Sequence, residues 1–202
     1  MVSNVSAAGV EPAAAADDTR AGVTAADDTP ADLPGQWHGL SAEEFKLAFR
    51  NHPAGVAIIT ADAGDGPVGL TATSVFSVSA EPPLFVFSIS SQSSSAPTLA
   101  HADTVVVHLL GAEQLEAAKL FATSGVDRFA DTDSWARLDT GEPYLPASPS
   151  WLRGRIINRM EAGGSTVIAV HALEAHTSAT ATSPLVYHDR TWHGIGDHSR
   201  LD

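Results

Sequence analysis

Hydroxyl-bearing residues recur among large apolar ones between Thr71 and Ser95, a stretch that contains no lysine or arginine. One interpretation is a β region whose hydroxyls face solvent. The other is a slot with a polar edge for a flat ligand, in which hydroxyls and strand amides bind heteroatoms while apolar side chains flank the ring. Composition leaves both interpretations open, so the surrounding elements have to decide between them.

A second group of residues that could do chemistry lies at 187–198, where three histidines and two aspartates are close in sequence. These residue types bind zinc, but their spacing matches no helical or finger motif, so we expect no metal. A serine hydrolase is disfavoured because the chain lacks a Gly-x-Ser-x-Gly sequence. The absence of cysteine excludes disulfides and thiolate catalysis.

The charge of the chain is strongly acidic, since 24 Asp and Glu against 11 Lys and Arg give a formal net charge of −13 over 202 residues. Such a field opposes the binding of nucleic acid. Residues 1–35 hold ten alanines, six acids and no aromatic residue, so they have too little apolar surface to fold. We predict a disordered tail over residues 1–35 and one folded domain over residues 36–202.

No segment of the sequence is typical of export or membrane insertion. The first 20 residues lack the basic start and the continuous apolar stretch of a signal peptide. The longest strongly apolar runs, at 84–87 and 105–107, are far shorter than the about 20 residues that cross a bilayer. We therefore expect a cytoplasmic protein without membrane association.

The pattern of elements indicates a mainly β domain with flanking helices. Ser41 and Glu44 have capping-box spacing and start a helix that ends before Pro53. Two more helices are predicted at 96–102 and 112–122, and strands at 55–60, 68–79, 84–90, 104–110, 155–161, 167–175, 185–188 and 191–195. Residues 123–153 are predicted to be irregular, and the last two strands to form a hairpin with Asp189-Arg190 as its turn. Strands in runs favour an antiparallel or mixed sheet, and a closed barrel would remove its exposed edges.

Four segments, in this order, resemble the flavin reductase-like, FMN-binding split-barrel family. Residues 55–60 are similar to its opening strand, and residues 71–84 to its flavin-binding signature, which ends in Ser-Val-Ser-x-x-Pro-Pro. Residues 105–121, followed by Asp127-Arg128-Phe129, are similar to its strand, helix and Arg-Phe segment. Residues 184–187 resemble its closing strand. The resemblance implies a six-stranded antiparallel split barrel that forms a homodimer, with flavin near the subunit interface.

The resemblance, which covers most of residues 41–196, also implies a cofactor and its ligands. The cofactor is FMN, with FAD as an alternative, and the electron donor is NADH or NADPH. The residues implied along the isoalloxazine edge are Thr71, Ala72, Thr73 and Ser74, and those implied at the ribityl chain and phosphate are Ser88, Ser90, Ser91 and Ser94. Because these segments carry no base, we predict that Arg128 and the N-terminus of the following helix meet the phosphate charge.

One segment departs from the family pattern, on the nicotinamide side of the flavin. Family reductases carry Gly-Asp-His before a long strand, whereas this chain has Ser165 and Thr166 where Asp and His are expected. His171 and His193 are the candidate replacements. The alternatives are a packed strand histidine for the first and a polar hairpin for the second. Hydride transfer depends on oriented stacking rather than on an acid of matched pKa, so nicotinamide use stays open and no catalytic residue is assigned.

Together these observations favour an NAD(P)H:flavin oxidoreductase that passes a hydride to flavin N5 and supplies reduced flavin to a monooxygenase. NADH is favoured over NADPH because the domain shows no obvious basic pocket. One alternative is a flavin-binding or carrier protein with little reductase activity. Another is a split-barrel oxidoreductase that uses a different donor, such as a deazaflavin.

Overall fold

The computed structural model describes residues 39–180 and 182–201. The disordered tail predicted for residues 1–35 lies outside the described residues, and the domain boundary at residue 36 stays a prediction. Across the described part of the chain the protein is mainly β with flanking α-helices, so the predicted fold class is confirmed. None of these helices is both long enough and apolar enough to span a membrane.

The helices and strands follow one another in the predicted order. The helices are α1 (Ala42–Arg50), α2 (Ala96–His101) and α3 (Leu115–Ala122). The strands are β1 (Ala54–Gly55), β2 (Ala57–Ala61), β3 (Val68–Ala72), β4 (Phe76–Ala80), β5 (Pro83–Ser90), β6 (Thr104–Leu109), β7 (Ala136–Arg137), β8 (Pro143–Tyr144), β9 (Ser150–Ala162), β10 (Ser165–Thr177), β11 (Leu185–His188) and β12 (Thr191–Gly194). β9 begins at Ser150 rather than at residue 155, because its first residues pair with the distant β6, which local pattern does not reveal.

Seven strands form one antiparallel sheet in the order β3-β2-β6-β9-β10-β5-β4. Although β3 and β4 are consecutive in the chain, they lie at opposite edges of this sheet. The chain therefore crosses between the edges at residues 73–75, where the sheet closes into a split barrel. The predicted number of six strands is corrected to seven, because this crossover divides the stretch 68–79, predicted as one strand, into two.

A smaller sheet, β1-β11-β12, extends from one end of the barrel. Leu185 N–H donates to Leu110 O at 2.9 Å, and Val56 N–H donates to Leu185 O at 3.0 Å. The predicted turn of the β11–β12 hairpin is confirmed, since Asp189 and Arg190 have positive φ angles of 44° and 62°. Two consecutive positive φ angles match the two-residue turn whose twist suits a hairpin.

The barrel interior is filled by alternate residues of its strands. On β5 every second residue from Phe85 to Ile89 is buried, and the residues between them face outward. α3 packs against the outside of β3, beside the rings of Phe121 and Phe129, whose centroids are 5.3 Å apart. Near the predicted flavin residues, the outer face of β5 and β10 and the gap between β3 and α3 are open to a ligand.

The sequence predicts an irregular region over residues 123–153. In the structure, residues 123–149 contain only the two-residue strands β7 and β8, and residues 150–153 belong to β9. Polar side chains anchor residues 123–149 to the barrel. The Thr60 hydroxyl donates to Pro143 O, and Arg153 Nε donates to the Glu142 carboxylate at 2.8 Å. Because these partners are buried, the anchors fix the position of a region that has little regular structure of its own.

The helix α1 begins at the predicted capping box. Glu44 N–H donates to the Ser41 hydroxyl at 3.2 Å, and Ser41 N–H donates to the Glu44 carboxylate at 2.9 Å. None of the residues of α1 is buried, so this helix adds surface rather than core to the domain.

Candidate functional site

The outer face of β5 and β10 carries a row of small side chains. Cross-strand register places Ser165 opposite Ser90 and Val167 opposite Ser88. Because alternate residues of a strand share a face, and the intervening residues of β5 are buried, these four side chains point outward together. We call these four residues the outer strip. Side chains this small leave room for a flat group to lie against the sheet.

Ser74 joins the barrel crossover to the outer strip. Its hydroxyl accepts a hydrogen bond from Ser88 N–H at 3.0 Å and donates to Ser88 O at 3.1 Å. Thr73 and Ser74 are half-buried, whereas Ala72 belongs to the barrel core. The structure therefore brings Thr73 and Ser74 to the edge of the strip and places the Ala72 side chain inside the barrel.

Thr71 is buried, and its hydroxyl is already engaged within the fold. The hydroxyl donates to Ala118 O of α3 at 2.7 Å. Since a threonine hydroxyl has one proton, this bond fastens α3 to β3 and leaves Thr71 no side-chain donor for a ligand. Of the four residues predicted along the isoalloxazine edge, Thr73 is the one whose hydroxyl makes no hydrogen bond to the described residues.

A small cavity of about 110 Å³ lies between the edge of β3, the C-terminal end of α3 and residues 91–95, which we call the serine loop. It is lined by Leu70, Thr71, Gln92, Ser93, Ser94, Phe121, Ala122, Ser124, Gly125 and Arg128. Arg128 is the one cation of this lining, and most other polar groups are hydroxyls. A space of this size suits a phosphate-sized group rather than a ring system.

Arg128 fastens three walls of this cavity together. One terminal nitrogen donates to Gly69 O at 2.8 Å and to the Ser94 hydroxyl at 3.2 Å, and the other donates to Thr123 O at 2.8 Å. The buried Nε has no hydrogen-bond partner among the described residues. Burial lowers the pKa of Arg128 from its ordinary value, because a charge is disfavoured away from water. A half-buried cation is the electrostatic setting that an anion would stabilise.

The serine loop is positioned mainly by contacts to backbone carbonyls. Ser91 donates to Gly164 O at 3.0 Å from both its N–H and its hydroxyl, and the Ser95 hydroxyl donates to Gly69 O at 3.0 Å. The loop leads directly into α2, a helix of six residues. The Ser91 and Ser95 hydroxyls therefore shape the loop, and Ser94 presents its exposed hydroxyl beside the Arg128 guanidinium.

The four residues considered for the nicotinamide side are dispersed. Ser165 belongs to the outer strip, whereas Thr166, the next residue of β10, shares the opposite, inward face. His171 lies on the outer face but is about 20 Å from Ser165 at the usual rise of a strand. His193 lies on β12 in the smaller sheet, with its ring centroid 5.7 Å from that of His188. Only Ser165 is brought beside the predicted flavin residues.

His188 connects the β11–β12 hairpin to the end of α1, whereas His193 is exposed. His188 Nε2 is 2.9 Å from Asn51 Oδ1, at the end of α1. Tyr187 and Trp192 stack edge to face at 4.8 Å between centroids. Within residues 39–180 and 182–201, no group of three or more histidines and carboxylates is arranged to hold a metal ion.

Sequence reasoning missed part of the cavity. Gln92, Ser93, Ser124 and Gly125 line it but were not among the predicted site residues. The first two lie inside the hydroxyl-rich stretch that drew attention to the site. The other two come shortly before Arg128, and only the packing of α3 on β3 brings them opposite the serine loop.

The geometry defines a class of protein: an antiparallel split barrel with a cavity lined by Arg128 and hydroxyl groups, and with a strip of small side chains on its outer face. The chain matches the model of the Flavin reductase like domain over residues 49–196. It belongs to the flavin reductase-like family.

Relatives and solved structures agree with this assignment. An NADH:FMN oxidoreductase of Rhodococcus qingshengii is 47% identical over 156 residues, which cover 75% of this chain and 80% of the relative. The reductase component of a flavin-dependent trigonelline monooxygenase of Acinetobacter baylyi is 31% identical over 137 residues, covering 67% of this chain and 44% of the relative. The crystal structure of a flavin reductase domain protein from Arthrobacter sp. FB24 has a TM-score of 0.73 and 36% identity, and the match covers 79% of this chain and 97% of that one.

Proposed function

We propose that this protein is an NADH:FMN oxidoreductase. The observation that carries the proposal is the continuity of the outer strip, the Ser74–Ser88 contact and the Arg128 cavity, which together form one wall for a flat ring with a phosphate at one end. The name of the Rhodococcus relative supports the same activity and the same pair of nucleotides. The description of the family model supports a flavin reductase. No cysteine is available to carry the redox chemistry, so a bound flavin is its natural carrier.

The residues of the cavity fit the phosphate end of FMN. Arg128 supplies a cation, and the exposed Ser94 hydroxyl lies 3.2 Å from its guanidinium. We assign the phosphate to these two residues, and the ribityl chain to the Ser88 and Ser90 end of the outer strip. An anionic group here would offset the unfavourable burial of the Arg128 charge.

The crossover and the outer strip fit the ring end of FMN. We assign Thr73 and Ser74 to the isoalloxazine edge, where the free hydroxyl of Thr73 is available to a ring heteroatom. FMN, when bound, supplies the hydride-accepting centre. The protein contributes a surface that excludes water from one face of the ring and holds the ring in a fixed orientation.

We assign Ser165 to the electron donor side, because the other three residues considered for the nicotinamide side do not lie beside the proposed flavin site. Ser165 offers one hydroxyl beside the flavin, rather than a histidine. We infer that donor and flavin are aligned by stacking, with no acid or base of this chain taking part. NADH is the proposed donor, as in the Rhodococcus relative.

A single purified sample tests this function. The protein saturated with FMN is mixed anaerobically with NADH, and the flavin absorbance near 450 nm is followed. Bleaching within seconds supports the reductase, whereas a yellow protein inert to both NADH and NADPH would indicate a flavin carrier or a deazaflavin-dependent enzyme. A protein that binds neither FMN nor FAD would contradict the proposal itself.

The reduced flavin would serve a partner monooxygenase in the cytoplasm. The support is the Acinetobacter relative, which is named as the reductase component of a monooxygenase. Adding the reductase and NADH to a flavin-dependent monooxygenase that lacks its own reductase should start product formation. Separating the two proteins by a dialysis membrane should leave turnover intact if reduced flavin diffuses between them.

We propose that the protein is a homodimer that buries the outer face of β4 and β9. Phe76 and Val78 on β4, and Ile157 and Met160 on β9, are more than half exposed, and Met160 is paired with Val167 of the outer strip. An apolar surface of this kind, next to the ligand strip, is typical of a protein interface. Replacing Met160 with Asp should convert the dimer into a monomer at micromolar concentration, as measured by analytical ultracentrifugation.

A matched control for this prediction lies on α1. Leu47 is 64% exposed and remote from the outer strip, so Leu47→Asp should leave the sedimentation coefficient unchanged. Wild-type protein that sediments as a monomer would contradict the homodimer. Dissociation by Leu47→Asp and not by Met160→Asp would place the interface on the other side of the domain.

A further inference from the structure

His108 is a fully buried histidine on β6 that the proposed flavin site does not use. Its Nδ1 is 3.0 Å from Ile58 O, and its Nε2 accepts a hydrogen bond from Leu145 N–H at 3.0 Å. A carbonyl oxygen only accepts and an amide N–H only donates, so the ring carries its proton on Nδ1 and is neutral. Both ring nitrogens are therefore satisfied in one protonation state alone.

The partner of His108 belongs to the wall of the Arg128 cavity. The Leu145 side chain packs in the same buried cluster as Phe121 and Phe129. Phe121 lines the cavity, and Phe129 directly follows Arg128 in the chain. The Leu145 backbone thus contacts His108, while its side chain supports the residues that shape the cavity.

We propose that His108 is an acid-sensitive latch that holds residues 141–148 against the barrel and, through Leu145, keeps the cavity wall closed. A proton taken from water by Nε2 would place a ring N–H against the Leu145 N–H, so that hydrogen bond is lost. Leu145 then separates from β6, while Thr60 and Arg153 still hold Pro143 and Glu142 at the start of the segment. Phe121 and Phe129 lose a packing partner, and binding at the cavity weakens. The ligand part of this proposal rests on the proposed function, because it takes FMN as the ligand.

The protonation equilibrium supports the direction of the switch. Burial lowers the pKa of His108 to about 4 in the closed form, against an ordinary value near 6.5 once the ring reaches solvent. Because the released form binds the proton more tightly, acid favours it, and the closed form loses stability as the pH falls from 6.5 towards 4. Between pH 6.5 and pH 4, each pH unit changes the ratio of the released to the closed form by about tenfold. Because pH 7 lies above this window, the released population should rise about 20-fold between pH 7 and pH 5.

Other ionisable groups lie on the elements packed against His108. These are Glu142 and Tyr144 on the segment, Arg153 on β9, and His176, which stacks on the neighbouring Trp151. Burial would raise the pKa of Glu142, but hydrogen bonds from Thr104, Thr140 and Arg153 outweigh it and lower the pKa. Glu142 therefore stays ionised and paired with Arg153 at pH 5. β2 contributes no ionisable side chain.

Hydrogen exchange of the Leu145 amide tests the latch without any ligand. After correction for the intrinsic exchange rate, protection in the wild-type chain should fall about 20-fold between pH 7 and pH 5. In His108→Gln, whose amide oxygen keeps an acceptor near Leu145, protection should not depend on pH. His176→Gln is the matched control and should respond like wild type. Equal protection at both pH values in wild type, or the same fall in His108→Gln, would overturn the latch.

Two further measurements complete the test. If His108→Gln does not fold, NMR titration of the wild-type histidine rings replaces it; a His108 pKa near 6.5 in the folded protein would overturn the proposal. FMN affinity is then measured at pH 7 and pH 5 and should fall more steeply in wild type than in His108→Gln. Unchanged affinity despite reduced protection would overturn the link to the cavity. If FMN does not bind at pH 7 but the protection of the Leu145 amide still depends on pH, the proposed flavin function is contradicted and the proposed role of His108 still holds.

Discussion

Replacing Arg128 with alanine is expected to raise the dissociation constant for FMN by about 10- to 100-fold, the usual loss when a hydrogen bond to a charged group is removed. Arg128 is the one cation that lines the cavity, and its buried Nε has no partner among the described residues. Without it, the phosphate would depend on hydroxyls and backbone amides alone, in a chain of net charge −13. Fluorescence quenching of FMN on titration with the protein gives the constant.

Riboflavin separates a direct contact with phosphate from an indirect effect on the loop. It has the same ring and ribityl chain as FMN but no phosphate, so its affinity should change less than about twofold in Arg128→Ala. Arg128 also holds Gly69 O and Thr123 O, so the free energy of unfolding should fall by about 1–3 kcal/mol, measured by urea denaturation. Equal losses for FMN and riboflavin would show that Arg128 only shapes the cavity.

The lysine variant adds a control for charge. Arg128→Lys keeps a positive charge but loses the planar guanidinium, whose two terminal nitrogens bind different parts of the cavity lining. We expect an intermediate FMN affinity that still weakens with added salt, whereas the alanine variant should lose most of this salt dependence. An affinity in Arg128→Lys as low as in Arg128→Ala would indicate that the geometry of the guanidinium, and not its charge, is what FMN requires.

Most of the fold could be predicted, because most of its helices, strands and turns depend on short-range patterns in the sequence. The capping box of Ser41 and Glu44, the strand predicted at 84–90 and the hairpin turn at Asp189-Arg190 depend on short-range signals, and each is present in the structure. The crossover at residues 73–75 was missed, because a strand that changes from one edge of a barrel to the other keeps its β-type residues throughout. Its position is set by the closure of the sheet, which is a long-range constraint.

The candidate site was predicted less well than the fold, for a physical reason. Residue type shows that a hydroxyl is present but not which partner it has already found. Thr71 is engaged by Ala118 O, and Ser91 by Gly164 O, through contacts of 47 and 73 residues in sequence separation. His108 raised no interest in the sequence, since its two partners lie on different elements and only the folded chain brings them together.

Replacing Gly154 with alanine is expected to lower the free energy of unfolding by about 1–3 kcal/mol, as overpacking of a close-packed core does. Gly154 lies in β9 between β6 and β10, paired with Val105 and Ala172. A Cβ at this position would be 2.4 Å from Val170 Cγ1 and 2.9 Å from His171 O. Since the second contact is to backbone, a rotamer change cannot relieve it, and the β9–β10 pairing itself has to move.

Gly55→Ala is the matched control for Gly154→Ala. Gly55 also lies in a strand, has open space within 4 Å of the position that a Cβ would take, and has no positive φ, so alanine there should be neutral or stabilise by up to about 1 kcal/mol. The double variant Gly154→Ala with Val170→Ala should lose less than the sum of its two single variants, because it removes one of the two clashes. Additive losses would mean that the strands separate without strain at Val170.

Because β10 also carries Ser165 and Val167 of the outer strip, a shift of β10 against β9 should weaken FMN binding in Gly154→Ala and leave it unchanged in Gly55→Ala.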